Sequence, residues 1–404
     1  MSMVFEKALN EKIKMTPPSK IRKFFDLVVN TPGVISLGVG EPDFMTPWHI
    51  REASFYSLEK GYTTYTSNKG LIELRRAISK YLTKYDVEYN PEDEILVTIG
   101  VSEGVDLALR VLVEAGDEIL VPDPSYVSYS PLIGLAGGVS VPLKTSCENA
   151  FKITADELEA AITPKTKALI LTFPNNPTGA ILTKEELEKL AEVIIRHDLI
   201  VISDEIYAEL TYDGVHTSVA SLPGMQERTI LLNGFSKAYA MTGWRVGYAC
   251  GSENVISMMN RIHQYSILCA PVMGQLAAVE ALENGNKEMK QMVMSYNYRR
   301  NSMVNGFNKI GLECSLPQGA FYAFPSVKNT GMSSDEFAEK LLLAEKVAVV
   351  PGTAFGEMGE GYIRCCYAAS QADINEAVKR MDRFLSRAGG DASKISALST
   401  ASST

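Results

Sequence analysis

Apolar positions along this chain fall into short unbroken runs separated by longer amphipathic stretches. Glu94–Gly100, Asp117–Val121, Lys167–Phe173, Leu199–Ser203, Thr229–Asn233 and Val246–Ala249 are β-branched and apolar almost throughout, and each reads as a strand. Because these runs do not alternate with polar residues, the pattern predicts strands buried on both faces. Between them, Ser102–Glu114 and Lys184–His197 carry apolar residues at helical spacing. Strands alternating with helices predict an α/β architecture, with a mainly parallel sheet covered by helices. The texture changes after about Gly285. A long helix is expected over Lys287–Gly311, then a strand at Ala320–Pro325 and a helix from Ser334. Strands at Val347–Val350 and Tyr362–Cys366 and a closing helix from Gln371 to about Arg387 complete a smaller α+β unit.

Length turns these elements into domains. The chain has 404 residues, roughly two to three times a typical single domain. Four parts are expected: an arm over 1–45 that packs with the small domain or a partner subunit, a large domain over 46–286, a small domain over 287–388, and a flexible tail over 389–404. The tail is mostly Ser, Ala, Thr and Gly and is expected to carry no function. With 46% hydrophobic and 22% charged residues the composition is that of a globular protein. There are 48 acidic and 39 basic residues, a net charge of −9. That balance argues against nucleic acid as a partner, which calls for clustered Lys and Arg, but leaves room for one local anion pocket. The six cysteines have no Cys-x-x-Cys spacing and read as reduced core thiols, as in a cytoplasmic protein. No apolar run approaches the roughly 20 residues needed to span a bilayer, and the first residues lack an apolar signal core.

Four motifs carry candidate chemistry. In the first, a strand runs almost directly into Ser236-Lys237, and an uncharged segment then leads to Thr242-Gly243-Trp244-Arg245. A lysine in such a setting loses its proton readily and becomes a nucleophile towards carbonyls. Arg245 offers a planar fork suited to phosphate. In the second, Asn175-Asn176-Pro177-Thr178-Gly179 is a competent turn at the carboxyl end of a buried strand, where ligands of open α/β sheets sit. The third, Ser203-Asp204-Glu205-Ile206-Tyr207, ends the next strand. Its two carboxylates could serve a metal, but the four histidines are scattered, so no His-rich metal site is expected. In the fourth, Gly100-Val101-Ser102-Glu103-Gly104 joins a strand to a helix, whose first amides can hold phosphate. Leu37-Gly38-Val39-Gly40-Glu41-Pro42 lacks the third glycine of a dinucleotide loop and runs into proline rather than a helix.

Together with Tyr362-Ile363-Arg364, these motifs resemble the class I pyridoxal-phosphate-dependent aminotransferases of fold type I, and the similarity runs from about Pro18 to Phe384. The branch is similar to the bacterial and archaeal aspartate, aromatic and acetyl-diaminopimelate aminotransferases. The resemblance implies a large domain built on a seven-stranded, mainly parallel sheet, a smaller α+β domain, pyridoxal phosphate as cofactor and a homodimer. It also implies roles. Lys237 would bind the cofactor covalently and then act as general base, and Asp204 would pair with the pyridinium nitrogen. Asn176 and Tyr207 would bond the phenolic oxygen, and Tyr126 would stack on the ring. Arg245, Ser236 and the Val101-Ser102-Glu103 turn, through the amides of Ser102 and Glu103, would hold the phosphate. Tyr65 would reach the neighbouring subunit's phosphate. Arg364, assisted by Asn176 and the amide of Gly40, would take the substrate α-carboxylate.

Two departures from the family pattern matter. Gly234 stands where many relatives carry a phosphate-contacting serine. At Ser102, where aspartate aminotransferases of this branch resemble one another in carrying a lysine for the side-chain carboxylate, the cation is absent and Glu103 stands beside its place. With the apolar Ile267–Pro271 loop, this favours an aromatic or large neutral donor over aspartate, with 2-oxoglutarate as acceptor on grounds of resemblance. Three rivals remain at this stage: aspartate or acetyl-diaminopimelate as donor, a carbon–sulfur β-lyase on the same fold, and a non-catalytic pyridoxal-phosphate-binding regulator. The last usually carries an added DNA-binding domain, for which the motifs leave no room.

Overall fold

The computed structural model describes residues 8–18 and 32–388. The tail expected at 389–404 and much of the expected arm lie outside those residues. In chain order the helices are α1 (Glu11–Met15), α2 (Trp48–Glu59), α3 (Ile72–Leu82), α4 (Gly100–Leu112), α5 (Tyr129–Ala136), α6 (Ala155–Ala161), α7 (Lys184–Arg196), α8 (Glu253–Ser266), α9 (Val272–Asn284), α10 (Asn286–Lys309), α11 (Ser334–Glu345) and α12 (Gln371–Ala388). The strands of the main sheet are β2 (Ile95–Thr98), β3 (Glu118–Asp123), β4 (Val139–Lys144), β5 (Thr166–Leu171), β6 (Ile200–Asp204), β7 (Thr229–Gly234) and β8 (Gly247–Cys250). Five short strands complete the set: β1 (Ile35–Ser36), β9 (Tyr322–Ala323), β10 (Val347–Ala348), β11 (Val350–Pro351) and β12 (Ile363–Cys366).

The main sheet has seven strands in the order β2-β8-β7-β6-β5-β3-β4. All neighbours are parallel except β8, which pairs antiparallel with both β2 and β7. Every residue of β2, β7 and β8 is buried, as their unbroken apolar runs require. Successive side chains leave opposite faces. In β7, Leu231 enters the hydrophobic core on one face, whereas Ile230 and Leu232 enter the core on the other. Each such aliphatic side chain contributes roughly 2 kcal/mol by leaving water.

The helices start where their chemistry dictates. Thr183 caps α7 by accepting from the Glu186 amide, and the Glu186 side chain accepts in return from the Thr183 amide. Thr154 and Glu157 repeat that box at α6. The helix expected at Ser102 begins two residues earlier, at Gly100, whose φ of 70° provides the tight turn from β2.

The C-terminal segment differs from its expected form in one respect. The strand expected over Val347–Val350 is two: β10 pairs with β1 and β11 pairs with β12, in separate sheets. Residues 35–37 therefore belong with the C-terminal elements. Leu37 donates its amide to Ala348, accepts from the Cys366 amide and joins a core made mainly of residues 292–384. Cysteines 250, 314, 365 and 366 are buried, but Cys147 is exposed, so not every thiol belongs to the core. Among the described residues no helix is long and apolar enough to cross a membrane.

Candidate active site

β2, β5, β6 and β7 end on the same edge of the sheet, the edge where ligands of open α/β sheets bind. Their carboxyl-terminal turns deliver Val101 and Ser102, Thr172 and Asn176, Asp204, Ile206 and Tyr207, and Ser236 with Lys237 into one cavity of about 570 Å³. The opposite wall comes from Gly40, Tyr322 and Arg364, and Tyr126 and Arg245 also line it. Motifs nearly 330 residues apart in sequence thus meet around a single space.

Asp204, the last residue of β6, lies at the floor of this cavity. One oxygen accepts from the Tyr129 hydroxyl at 2.8 Å and the other from the Ile206 amide at 3.2 Å. No cation of the described protein bonds it. Burial therefore pushes its carboxyl up to about 6 despite those two bonds. Lys237 is held across the cavity by one hydrogen bond, from Nζ to the Gly40 carbonyl at 2.7 Å. Burial pushes its ammonium down to about 8. A buried acid without a counter-charge and a part-buried amine without a carboxylate partner, each with a shifted proton affinity, mark a candidate functional site.

The two arginines mark opposite ends of the site. Arg364 is almost fully buried and sandwiched between the rings of Tyr322 and Phe355. Its Nη1 donates to Asn176 Oδ1 at 2.9 Å and its Nη2 to the Gly38 carbonyl at 2.6 Å, while Nε is buried without a partner. Three of the five guanidinium N–H groups therefore remain for an anion. Arg245 donates to the carbonyls of Thr242 and Ile99, which holds its guanidinium beside the start of α4. A Cβ added to Gly100 would stand 2.6 Å from Arg245 Nη2. Glycine there lets the first amides of α4 and a guanidinium converge on one point, an anion cradle.

The residues expected from the sequence divide into three groups. Lys237, Asp204, Tyr207, Asn176, Tyr126, Val101, Ser102, Ser236, Arg245, Gly40 and Arg364 are all brought to the cavity. Tyr65 is not: it is 81% exposed. The Glu103 side chain corrects an expectation. It does not stand as a like charge in the pocket, because its carboxylate turns back to accept from the Ile99 amide and faces His263 Nδ1 at 2.7 Å. Gly234 is equally informative. A Cβ there would sit 3.0 Å from the Gly247 Cα and 3.1 Å from the Val246 carbonyl, so a serine would have to displace backbone of β8.

Two tyrosines escaped the sequence reading. Tyr129 donates to Asp204 and so orients it, and its oxygen lies 3.1 Å from the Thr172 hydroxyl, which can donate to it. Tyr322 shares a 2.7 Å hydrogen bond with Tyr207 and lies under the Arg364 guanidinium. The only sequence trace of the first is its helical spacing from Tyr126. Tyr322 had none, since Ala320–Pro325 reads as an ordinary strand.

The cavity fits pyridoxal phosphate on the chemistry of its donors. It pairs a carboxylate lacking a cation with a basic ring nitrogen, an amine with an aldehyde, and an anion cradle with a phosphate. Comparison with known proteins agrees. Residues 32–381 match the family described as aminotransferase class I and II. The Bacillus subtilis chain YugH, named provisionally as an aminotransferase, is 54% identical over 378 residues, covering 93% of this chain and 98% of its own. Aromatic-amino-acid aminotransferase 2 of Thermococcus litoralis is 45% identical over 382 residues, covering 94% of this chain and 98% of its own. The solved structure of an aromatic aminotransferase from Pyrococcus horikoshii superposes with a TM-score of 0.87 at 44% identity, covering 91% of this chain and 99% of its own. The chain thus belongs to the class I and II aminotransferases and is a pyridoxal-phosphate-dependent transaminase of fold type I.

Proposed function

We propose that this enzyme moves the amino group of an aromatic or other large neutral L-amino acid to 2-oxoglutarate, and that the residues lining the cavity divide the work as follows. Pyridoxal phosphate, when bound, supplies the carbonyl that receives the amino group and the electron sink that lets the bonds at the substrate α-carbon break. Lys237 holds it through Nζ and, when released by substrate, carries the α-proton from one carbon to the other. An amine lowered to about 8 by burial exchanges that proton near neutral pH more readily than an ordinary lysine. Asp204, oriented by Tyr129, binds the ring nitrogen and keeps its proton there. Asn176 and Tyr207 bond the phenolic oxygen, and Tyr126 covers the ring face. Arg245, Ser236 and the amides of Ser102 and Glu103 bind the phosphate. Arg364 grips the substrate α-carboxylate with its free N–H groups, with Asn176 and the Gly40 amide alongside.

The observation that carries the donor preference is the set of cations. The described cavity lining contains Lys237, Arg245 and Arg364, and each already has a role. None is left to select a side-chain carboxylate, so the described lining gives aspartate no cation that would favour it over a neutral donor, and 2-oxoglutarate as acceptor rests on the family resemblance alone. Relatives named for aspartate are as similar to this chain as those named for aromatic donors, so the lining and not the relatives supports this reading. The test is a panel of amino donors with 2-oxoglutarate, read as kcat/KM. Phenylalanine and tyrosine should exceed aspartate by tenfold or more, about the 1.4 kcal/mol expected as a minimum for an unpaired charge. Aspartate as the best donor by a wide margin would overturn it. Pyruvate release from cystathionine without any 2-oxo acid would favour the lyase.

We also propose a homodimer in the cytoplasm, with each chain divided at about 45 and 286 into arm, large domain and small domain. The dimer is supported by an exposed apolar face. Trp48, Phe55, Tyr56 and Leu58 on or beside α2 are each about half exposed, and Tyr62, Tyr65 and Tyr265 are exposed close to a segment tied to Asn68 through the Leu268 carbonyl. A patch of this kind is rare on a monomer, and Tyr65 within it is the residue proposed to reach the neighbour's phosphate. Sedimentation should give a dimer, and Tyr65→Phe should weaken cofactor binding without separating the subunits.

A further inference from the structure

Glu103 and His263 form a largely buried pair whose side chains none of the roles above uses. His263, on α8, is completely buried, and its Nδ1 lies 2.7 Å from Glu103 Oε1. Its other nitrogen has no partner, so the imidazole is anchored through Glu103 alone. Because a carboxylate only accepts, the hydrogen must lie on Nδ1. The second oxygen of Glu103 accepts the amide of Ile99, the residue immediately before the first turn of α4. One side chain therefore ties the β2–α4 turn to a second helix. That turn contains the positive-φ Gly100 and leads into Val101 and Ser102, which face the cavity.

The pair has a mechanical and an electrostatic consequence. Mechanically, it fixes the turn whose amides must converge with Arg245. Electrostatically, a carboxylate in the first turn is attracted to the positive end of α4 and competes there with any bound anion. An imidazole against the far side of that carboxylate offsets the competition, from a position that is itself fully buried. The acid beside the place of the absent lysine is instead turned back on the β2–α4 turn, which it braces.

We propose that Glu103 and His263 are a positioning pair that sets the affinity of the α4 turn for the cofactor's phosphate. This rests on the reading that the turn and Arg245 hold that group. The experiment titrates cofactor-stripped protein with pyridoxal phosphate and with phosphate-free pyridoxal, following protein fluorescence, with inorganic phosphate as competitor. Glu103→Ala should lower the ratio of the two affinities by about tenfold or more, the effect of roughly 1.4 kcal/mol. Glu103→Gln, which keeps an oxygen for the Ile99 amide, should cost about threefold or less. His263→Leu, which has no donor, leaves the carboxylate without its side-chain partner and should also lower the ratio about tenfold. Adding Glu103→Gln to it should restore most of that loss, because the repelling charge is then gone. A ratio unchanged within about twofold in Glu103→Ala, or a parallel fall in both affinities, overturns the proposal, since a general loosening of the fold weakens both ligands alike. If His263→Leu does not fold, the Glu103 variants decide alone. A wild-type protein with no preference for the phosphorylated ligand and no competition by phosphate would instead sink the reading of the phosphate site. An intact preference that ignores the Glu103 change sinks only the pair.

Discussion

Asp204 and Glu205 are neighbours at the end of β6, both buried, and they face opposite sides of the sheet edge with opposite consequences. Glu205 is saturated: one oxygen accepts from Ser203 Oγ at 3.0 Å and from Ser218 Oγ at 2.7 Å, and the other meets His216 Nε2 at 2.9 Å. Asp204 has a tyrosine, one amide and open space, and burial holds its carboxyl near 6. Burial is thus common to the two. What separates a structural carboxylate from a candidate functional one is how many of its lone pairs the protein itself satisfies. Lys237 belongs with Asp204: it is part-buried, under-partnered and turned towards the same cavity.

This contrast can be broken or sharpened by substitution. The largest effect should come from Lys237→Ala, which removes the proposed proton carrier and should lower kcat by roughly a thousandfold or more, while thermal unfolding shows no loss of stability. Retained transamination would sink the assignment. Asp204→Asn should follow, costing about a hundredfold or more in kcat as an electrostatic partner is lost, again with no fall in the melting temperature. Glu205→Ala should do the reverse. It strands two hydroxyls and an imidazole in the interior and should cost roughly 3 kcal/mol of stability, with kcat changed much less than in Asp204→Asn. Equal losses of stability in both carboxylate variants would erase the distinction.

The smallest effects lie in the pH dependence of stability without cofactor. The folded value for Asp204 is raised from 3.8 to about 6. Between those values the folded state binds more protons than the unfolded one, so this group's contribution is present at low pH and is lost as pH rises through about 6. The folded value for Lys237 is depressed from 10.5 to about 8. Between those values the unfolded state binds more protons, so stability should rise with pH across that window. Denaturant titrations of wild type against Asp204→Asn over pH 4–6, and against Lys237→Ala over pH 8–10.5, should show the two differences with opposite slopes. Parallel curves would mean that neither group feels its burial.

Much of the fold and most of the site were legible in the sequence. Strand runs such as Thr229–Asn233 are apolar because both faces of the sheet are covered, so length and β-branching alone marked them. Motifs at the carboxyl ends of those strands kept their meaning because a parallel sheet collects such ends on one edge. By contrast, α2, α3, α8 and α9 were not anticipated. The apolar face of α2 is half exposed rather than packed inwards, so the burial that periodicity reports is incomplete there.

What the sequence determined by itself was which chemistry is present: a lysine after a strand, an aspartate after another, two arginines and a phosphate-suited turn. Each is local, because a strand end, a turn and a helix start are fixed by the residues within them. Only the tertiary structure decided what each group meets. The direction of the Glu103 carboxylate, the partners that separate Asp204 from Glu205, and the placing of Tyr129 and Tyr322 depend on contacts spanning up to 160 residues. A side chain's environment is set by whatever the folded chain brings within about 3 Å of it, and that is a property of packing, which no local pattern of residues encodes.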